Sequence, residues 1–148
     1  MPTRRQCLQQ LYAIAAASLI LSTVPLAARA EQGGWEARTG KYTHFWKDYR
    51  FRFWLEQSPL KAGQYQQVWL KVDRQAKGKW WYITLAKTYG KVFPGKAKAA
   101  VTMFGLLERQ RGLYQGRFKV DQKGRYRLTM RLEYEGTVHE FDIPIIAK

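Results

Sequence analysis

The sequence predicts an all-β fold, an antiparallel immunoglobulin-like β-sandwich of about seven strands that follows an N-terminal signal peptide. Three observations carry that expectation. Apolar and polar residues alternate with a period of two along most of the chain, Gly- and Pro-bearing breaks recur at short intervals, and no helical connection is evident between the breaks.

The clearest alternation runs from Arg125 to Tyr134, where Tyr126, Leu128, Met130, Leu132 and Tyr134 share one face. Arg125, Arg127, Thr129, Arg131 and Glu133 take the other. Glu135-Gly136 supplies a two-residue turn, and Phe141, Ile143 and Ile145 carry the core into the returning strand of a β-hairpin. Upstream, Tyr49, Phe51, Phe53 and Leu55 alternate with Arg50, Arg52, Trp54 and Glu56. Ser58-Pro59 and Gly63 break the chain, Val68, Leu70 and Val72 mark the next strand, and Lys77-Gly78 marks a turn. Trp81, Ile83 and Leu85 are expected on the core face of the strand after it. Tyr89 to Gly95 reads as a loop, Ala99, Val101 and Met103 as a strand face, and Phe104 to Gln110 as a short helical turn. Leu113 to Val120 reads as a strand closed by the Asp121–Gly124 turn. The following Gly124-Arg125-Tyr126 step, a turn glycine and then an aromatic, suits the corner of an immunoglobulin-like sandwich.

Residues 1–30 have the three parts of a signal peptide: Arg4 and Arg5 at the start, an apolar run from Leu11 to Leu26, and Ala28-Arg29-Ala30 before the cut. The run falls short of the roughly 20 residues that a permanent transmembrane helix needs. Thr3-Arg4-Arg5-Gln6-Cys7-Leu8 resembles the twin-arginine export motif, with ordinary Sec export the slightly favoured route. The expected organisation is a signal peptide over 1–30, a flexible glycine-bearing lead over 31–41, and the sandwich over 42–148. The expected location is the periplasm or outside the cell.

The chain of 148 residues has a net charge of +15. Only Arg4, Arg5 and Arg29 of its cations precede the cut, so the exported part keeps most of that excess. A positive surface potential favours polyanions, anionic lipid head groups or an acidic protein. The one cysteine, Cys7, lies in the signal segment, which takes thiol catalysis and Cys-based metal centres out of the exported part. There is no Gly-x-Ser-x-Gly, His-Glu-x-x-His or phosphate-cradling glycine loop, so the reading is non-enzymatic.

What remains is a basic and aromatic surface. If Phe51, Phe53, Val68 and Leu70 point inward, Arg50, Arg52, Trp54, Trp69 and Lys71 point outward together, with Trp80 and Tyr82 out of phase with their own strand's core. Tryptophans beside cations form a partner-binding face, or a second buried face covered by the segment from Trp35 to Trp46. Soft or imidazole donors for copper are few: His44, set among Tyr42, Phe45 and Trp46, with His139, Met103 and Met130. Met130 is in phase with the core of its strand, and His139 with Phe141 and Ile143.

Gly112-Leu113-Tyr114-Gln115-Gly116, Gly124-Arg125-Tyr126-Arg127-Leu128-Thr129-Met130 and the Phe141 to Ile145 strand resemble the small periplasmic domains of the FixH/YtkA-like group. That resemblance implies an exported or anchored β-sandwich and, in some members, copper handling or oxidase assembly. Copper-associated members often carry a Met/His-rich segment before the Gly-x-Tyr strand, where this chain has Met103 and no histidine. The expected function is a monomeric or weakly dimeric accessory module. It docks onto an acidic protein or envelope anion through Arg50, Arg52, Trp54, Trp69 and Lys71. The alternative is a copper-accessory protein of the resembling type, with His44 and Met103 as ligands.

Overall fold

Alternation with a period of two places every second side chain on one face of a strand. The computed structural model describes residues 33–148, and in them those faces meet inside a single curled sheet. The ten strands are β1 (Gly33–Glu36), β2 (Lys41–Trp46), β3 (Tyr49–Leu55), β4 (Gln66–Ala76), β5 (Lys79–Tyr82), β6 (Lys87–Pro94), β7 (Thr102–Gln110), β8 (Leu113–Phe118), β9 (Gly124–Tyr134) and β10 (Thr137–Ala147). Among the described residues there is no helix. The strands pair antiparallel in the order β1-β2-β3-β4-β8-β7-β6-β9-β10, and β5 adds to β4 beside β8. The expected signal peptide, residues 1–30, lies outside the described residues.

The all-β class therefore holds, while the seven-strand sandwich is replaced by a ten-stranded sheet that is nearly a barrel. Its interior holds Phe51 and Phe53 of β3, Val68, Leu70 and Val72 of β4, and Tyr114 and Phe118 of β8. Leu128, Met130 and Leu132 of β9 and Phe141, Ile143 and Ile145 of β10 complete it. Apart from Tyr114 and Phe118, these are the alternating sets read from the sequence. Two hairpins turn as their residues require: Lys77-Gly78 and Glu135-Gly136 have positive φ at both central positions, the geometry of a type I′ turn. Tyr126 Oη donates to Gln122 O at 2.6 Å, fastening the turn before β9 to the strand it opens.

The two ends of the sheet are brought together by side chains. Trp35 Nε1 on β1 donates to Pro144 O at 2.9 Å, and Tyr42 Oη on β2 donates to Asp142 O at 3.2 Å. His44 on β2 meets His139 on β10, Nε2 to Nε2, at 2.9 Å. The remaining edge of β10 is bound by the loop after β3, where Leu60 N donates to Ile146 O and Lys148 N to Leu60 O. These contacts leave little of β10 open as a template for another strand.

Several local expectations change. Gly33–Glu36, read as part of a flexible lead, is a strand because Trp35 finds Tyr42 and Phe53 edge-on and a carbonyl on β10. Tyr89 to Gly95 is mostly strand β6, and Phe104 to Gln110 is strand, not a helical turn, since each has a neighbour on both sides. Trp81 and Leu85 are exposed, Leu85 at 88%. β5 is a four-residue ribbon beyond the curled body, where nothing covers Trp81, and Leu85 sits in a turn with φ of 59°. Ala99 and Val101 precede β7, and Met103 faces outward on it.

The most demanding interior polar site is Tyr114, fully buried, whose Oη donates to Ile83 O at 2.7 Å and accepts from Ala86 N at 3.1 Å. Tyr114→Phe strands both backbone groups in the interior. We expect a loss of about 1–3 kcal/mol in urea unfolding, since an unsatisfied buried group forfeits its hydration without compensation. An unchanged midpoint would show that these two hydrogen bonds do not hold the β5–β6 connection in place.

Candidate cationic-aromatic binding face

Antiparallel register sorts the outward side chains of β2, β3, β4, β8 and β5 into rows. One row runs Trp54, Trp69, Gln115 and, on β7, Leu107, with Lys41 beside Trp54; the next runs Thr43, Arg52, Lys71 and Leu113; the third runs Phe45, Arg50, Asp73 and Tyr82. The five residues expected to carry binding, Arg50, Arg52, Trp54, Trp69 and Lys71, thus share one outer face on β3 and β4. The segment from Trp35 to Trp46 extends the sheet as β1 and β2 and does not lie across this face.

Asp73 organises the face. It points outward yet is only 1% exposed, because two arginines and the aromatic end of β5 cover it. Its Oδ2 accepts from Arg50 Nη2 at 2.8 Å and Arg52 Nη2 at 2.6 Å, so one carboxylate holds two guanidiniums in fixed positions. The guanidinium of Arg50 also lies 4.1 Å over Trp80. Lys41 Nζ stands 4.7 Å over Trp54, Lys71 Nζ stands 5.0 Å over Tyr82, and Trp54 and Trp69 lie nearly parallel at 6.0 Å. Arg50, Lys41 and Lys71 are thereby each held against a ring, which limits the rotamer freedom that a ligand would otherwise have to freeze. The buried Nε–H of Arg52 has no acceptor among the described residues.

In the middle of the face is a cleft of about 400 Å³ lined by Lys41, Arg52, Lys71 and Arg111, with Trp54 and Tyr82 as flat walls and no carboxylate in its lining. The outer face of β9 and β10 is different. There Arg131 pairs with Glu133 and Glu140, and Arg127 lies 4.0 Å from Asp142. Arg127 and Arg131 on that side each face a carboxylate, whereas in the cleft only Arg52 does, through Asp73 beneath it; Lys41, Lys71 and Arg111 have no ion pair among the described residues. Lys41 and Arg111 are additions to the sequence reading. Lys41 fell in the lead before the first expected strand, and Arg111 sits at the β7–β8 turn, where no alternation marks a side chain's direction.

The candidate metal ligands do not converge. His44 is buried on the inner face of β2, while Met103 is 64% exposed on β7, with β3, β4 and β8 between them in the sheet order. Met130 is fully buried in the core. The partner of His44 is His139, in a box of rings: Phe141 stacks on His44 at 4.4 Å and Trp46 on His139 at 4.1 Å. One imidazole donates from Nε2 and the other accepts there, so the two neutral rings are opposite tautomers. Burial pushes the pKa of His44 down to about 4, and burial, the His44 charge and Lys47 push that of His139 down to about 4. Among the described residues no group of three His, Cys, Asp or Glu side chains is placed to hold a metal ion. The donors present do not fit the copper site that the FixH/YtkA-like resemblance implies.

No protein-family model matches the chain, and no curated protein matches it. Among solved structures, it is similar to a DUF4426 family protein from Pseudomonas aeruginosa PAO1, with 13% identity and a TM-score of 0.46. The match covers 74% of this chain and 97% of that one. The FixH/YtkA-like resemblance rests on its quoted residues alone.

Two outcomes follow from this geometry. Asp73→Ala leaves Arg50 and Arg52 facing each other without a counter-charge. Because both guanidiniums reach water in part, the expected loss is about 2 kcal/mol, below that of a fully buried pair, read from urea unfolding. The histidine pair sets a pH dependence of known sign. Its folded pKa lies below the unfolded 6.5, so the unfolded chain takes up protons that the fold refuses. Stability is fully present above about pH 7 and falls as pH drops from 6.5 towards about 4. A His44→Phe/His139→Phe double variant should flatten the decline between pH 6.5 and about 5; an equal slope in both proteins would assign it to other groups.

Proposed function

We propose that the protein is an exported, non-enzymatic binding module that docks through the outer face of β2–β5 and β8 onto an acidic protein or envelope anion. One observation carries the reading: Lys41, Arg52, Lys71 and Arg111 converge on a cleft walled by Trp54 and Tyr82, with no carboxylate among its lining residues. Cations around a concave, ring-lined surface focus a positive potential and attract an anion before contact. Aromatic residues and arginines then supply the contact area and fork-shaped donors that most often dominate an interface. The signal-peptide pattern of residues 1–30 supports the exported part of the reading.

Binding to immobilised heparin, used as a polyanion probe, tests this reading across a series of salt concentrations. Affinity should fall steeply as the Debye length shrinks from about 10 Å at 0.1 M salt to about 3 Å at 1 M. Lys71→Glu and Arg111→Glu should each weaken binding about tenfold, whereas Lys98→Glu, in the exposed loop before β7, should leave it nearly unchanged. Equal loss from all three variants would mean that net charge binds the probe and the cleft does not.

A further inference from the structure

A second cleft lies on the same outer face. About 490 Å³ is enclosed by side chains that include Gln67 of β4, Leu107 and Arg109 of β7, and Gln115 and Arg117 of β8. Like the first cleft, it has cations and no carboxylate in its lining. Gln115 Nε2 donates to Gln67 Oε1 at 2.9 Å, which leaves the second amide hydrogen of Gln115 and the amide group of Gln67 for other partners.

The two clefts are consecutive along one pair of strands. Lys71 in the first and Gln67 in the second are four residues apart on β4, a separation of roughly 13 Å at the usual strand rise. Trp69 stands between them, beside Gln115 in the ladder and parallel to Trp54. Past the second cleft, Tyr65 lies beneath Arg117 at 5.2 Å and Lys119 at 5.3 Å. The track therefore repeats one motif, a ring with a cation held within about 5 Å of it: Tyr82 with Lys71, Trp54 with Lys41, Tyr65 with Arg117.

We propose that this track binds an acidic polysaccharide, laid along β4 and β8 across both clefts. The proposal rests on the docking reading and names its ligand class. A sugar ring presents C–H groups that pack on an aromatic face, hydroxyls that suit the amides of Gln67 and Gln115, and, in an acidic glycan, a charge on the ring itself. Rings and cations interleaved over one face, with Lys71, Trp69 and Tyr65 following β4 and Trp54 and Lys41 lying across the strands from Trp69, match that arrangement. A nucleic acid carries its charges on a backbone set apart from the stacking bases, whereas here Trp54, Tyr82 and Tyr65 each carry a cation within about 5 Å of the ring, which suits a ligand whose charge sits on the stacking ring itself. An acidic peptide offers charge but no flat ring for Trp69, Trp54 and Tyr65.

The test uses the purified protein and heparin-derived oligosaccharides of increasing length, titrated at one ionic strength, with polyglutamate and single-stranded DNA of matched charge as comparisons. Affinity should climb with length until an oligosaccharide spans both clefts, then level off. An Arg109→Ala/Arg117→Ala variant should lose about tenfold for the long oligosaccharides and nothing for the shortest, while Lys71→Glu should weaken binding at every length. A length gain that survives in the double variant overturns the proposal, as does equal or tighter binding of polyglutamate or DNA. In those cases a retained effect of Lys71→Glu leaves the docking reading standing. Loss of any Lys71→Glu effect overturns both.

Discussion

The curl of one sheet, held at its ends by side chains, is the constraint on which the rest depends. With β1 and β2 brought against β10 through Trp35, Tyr42 and His44, every apolar alternate residue is committed to one interior. Everything else on those strands must face solvent. The outer surface of β2–β5 is thus a direct product of the closure, since among the described residues no second sheet lies over it. A histidine pair packed in a ring box at such a seam is held neutral by burial, and its hydrogen bond is lost once both imidazoles are protonated, since neither Nε2 can then accept.

A surface that gathers Lys41, Arg50, Arg52, Lys71 and Arg111 costs the fold self-repulsion. Asp73 offsets part of that cost at the most crowded point, and the rings of Trp54, Trp80 and Tyr82 offset more by taking up cations over their faces. The same contacts fix where the cations stand. On β9 and β10 the fold meets the same problem by direct pairing, as between Arg131 and Glu140, and that face is left without a converging charge. The contrast between the two sides singles out the β2–β5 face, more than the total charge does.

The strands were legible wherever alternation was unbroken. Tyr126 to Tyr134 and Phe141 to Ile145 are in the structure what their period of two implies, and so are the Lys77-Gly78 and Glu135-Gly136 turns. Alternation failed where a neighbour, not the segment itself, decides burial. Trp81 looks like a core residue but lies on a ribbon with nothing above it, and Phe104 to Gln110 has too mixed a pattern to show that β6 and β8 flank it. The number of strands and the closure into a near-barrel depend on the long-range contacts of Trp35, Tyr42 and Leu60, which leave no local mark. In the candidate face, the shared side of Arg50, Arg52, Trp54, Trp69 and Lys71 was visible from phase alone. The burial of Asp73 beneath two arginines, the contribution of Arg111 from a turn, and the meeting of His44 with His139 required the register of distant strands.

Backbone and indole chemical shifts of the isotope-labelled protein, followed during titration with a heparin oligosaccharide, test the central claim most directly. The account predicts that the largest shifts fall on Lys41, Arg52, Lys71 and Arg111 and on the indoles of Trp54 and Trp69, with Arg127 and Arg131 on the opposite side unmoved. Shifts centred on β9 and β10, or spread evenly over all surface cations, would contradict it.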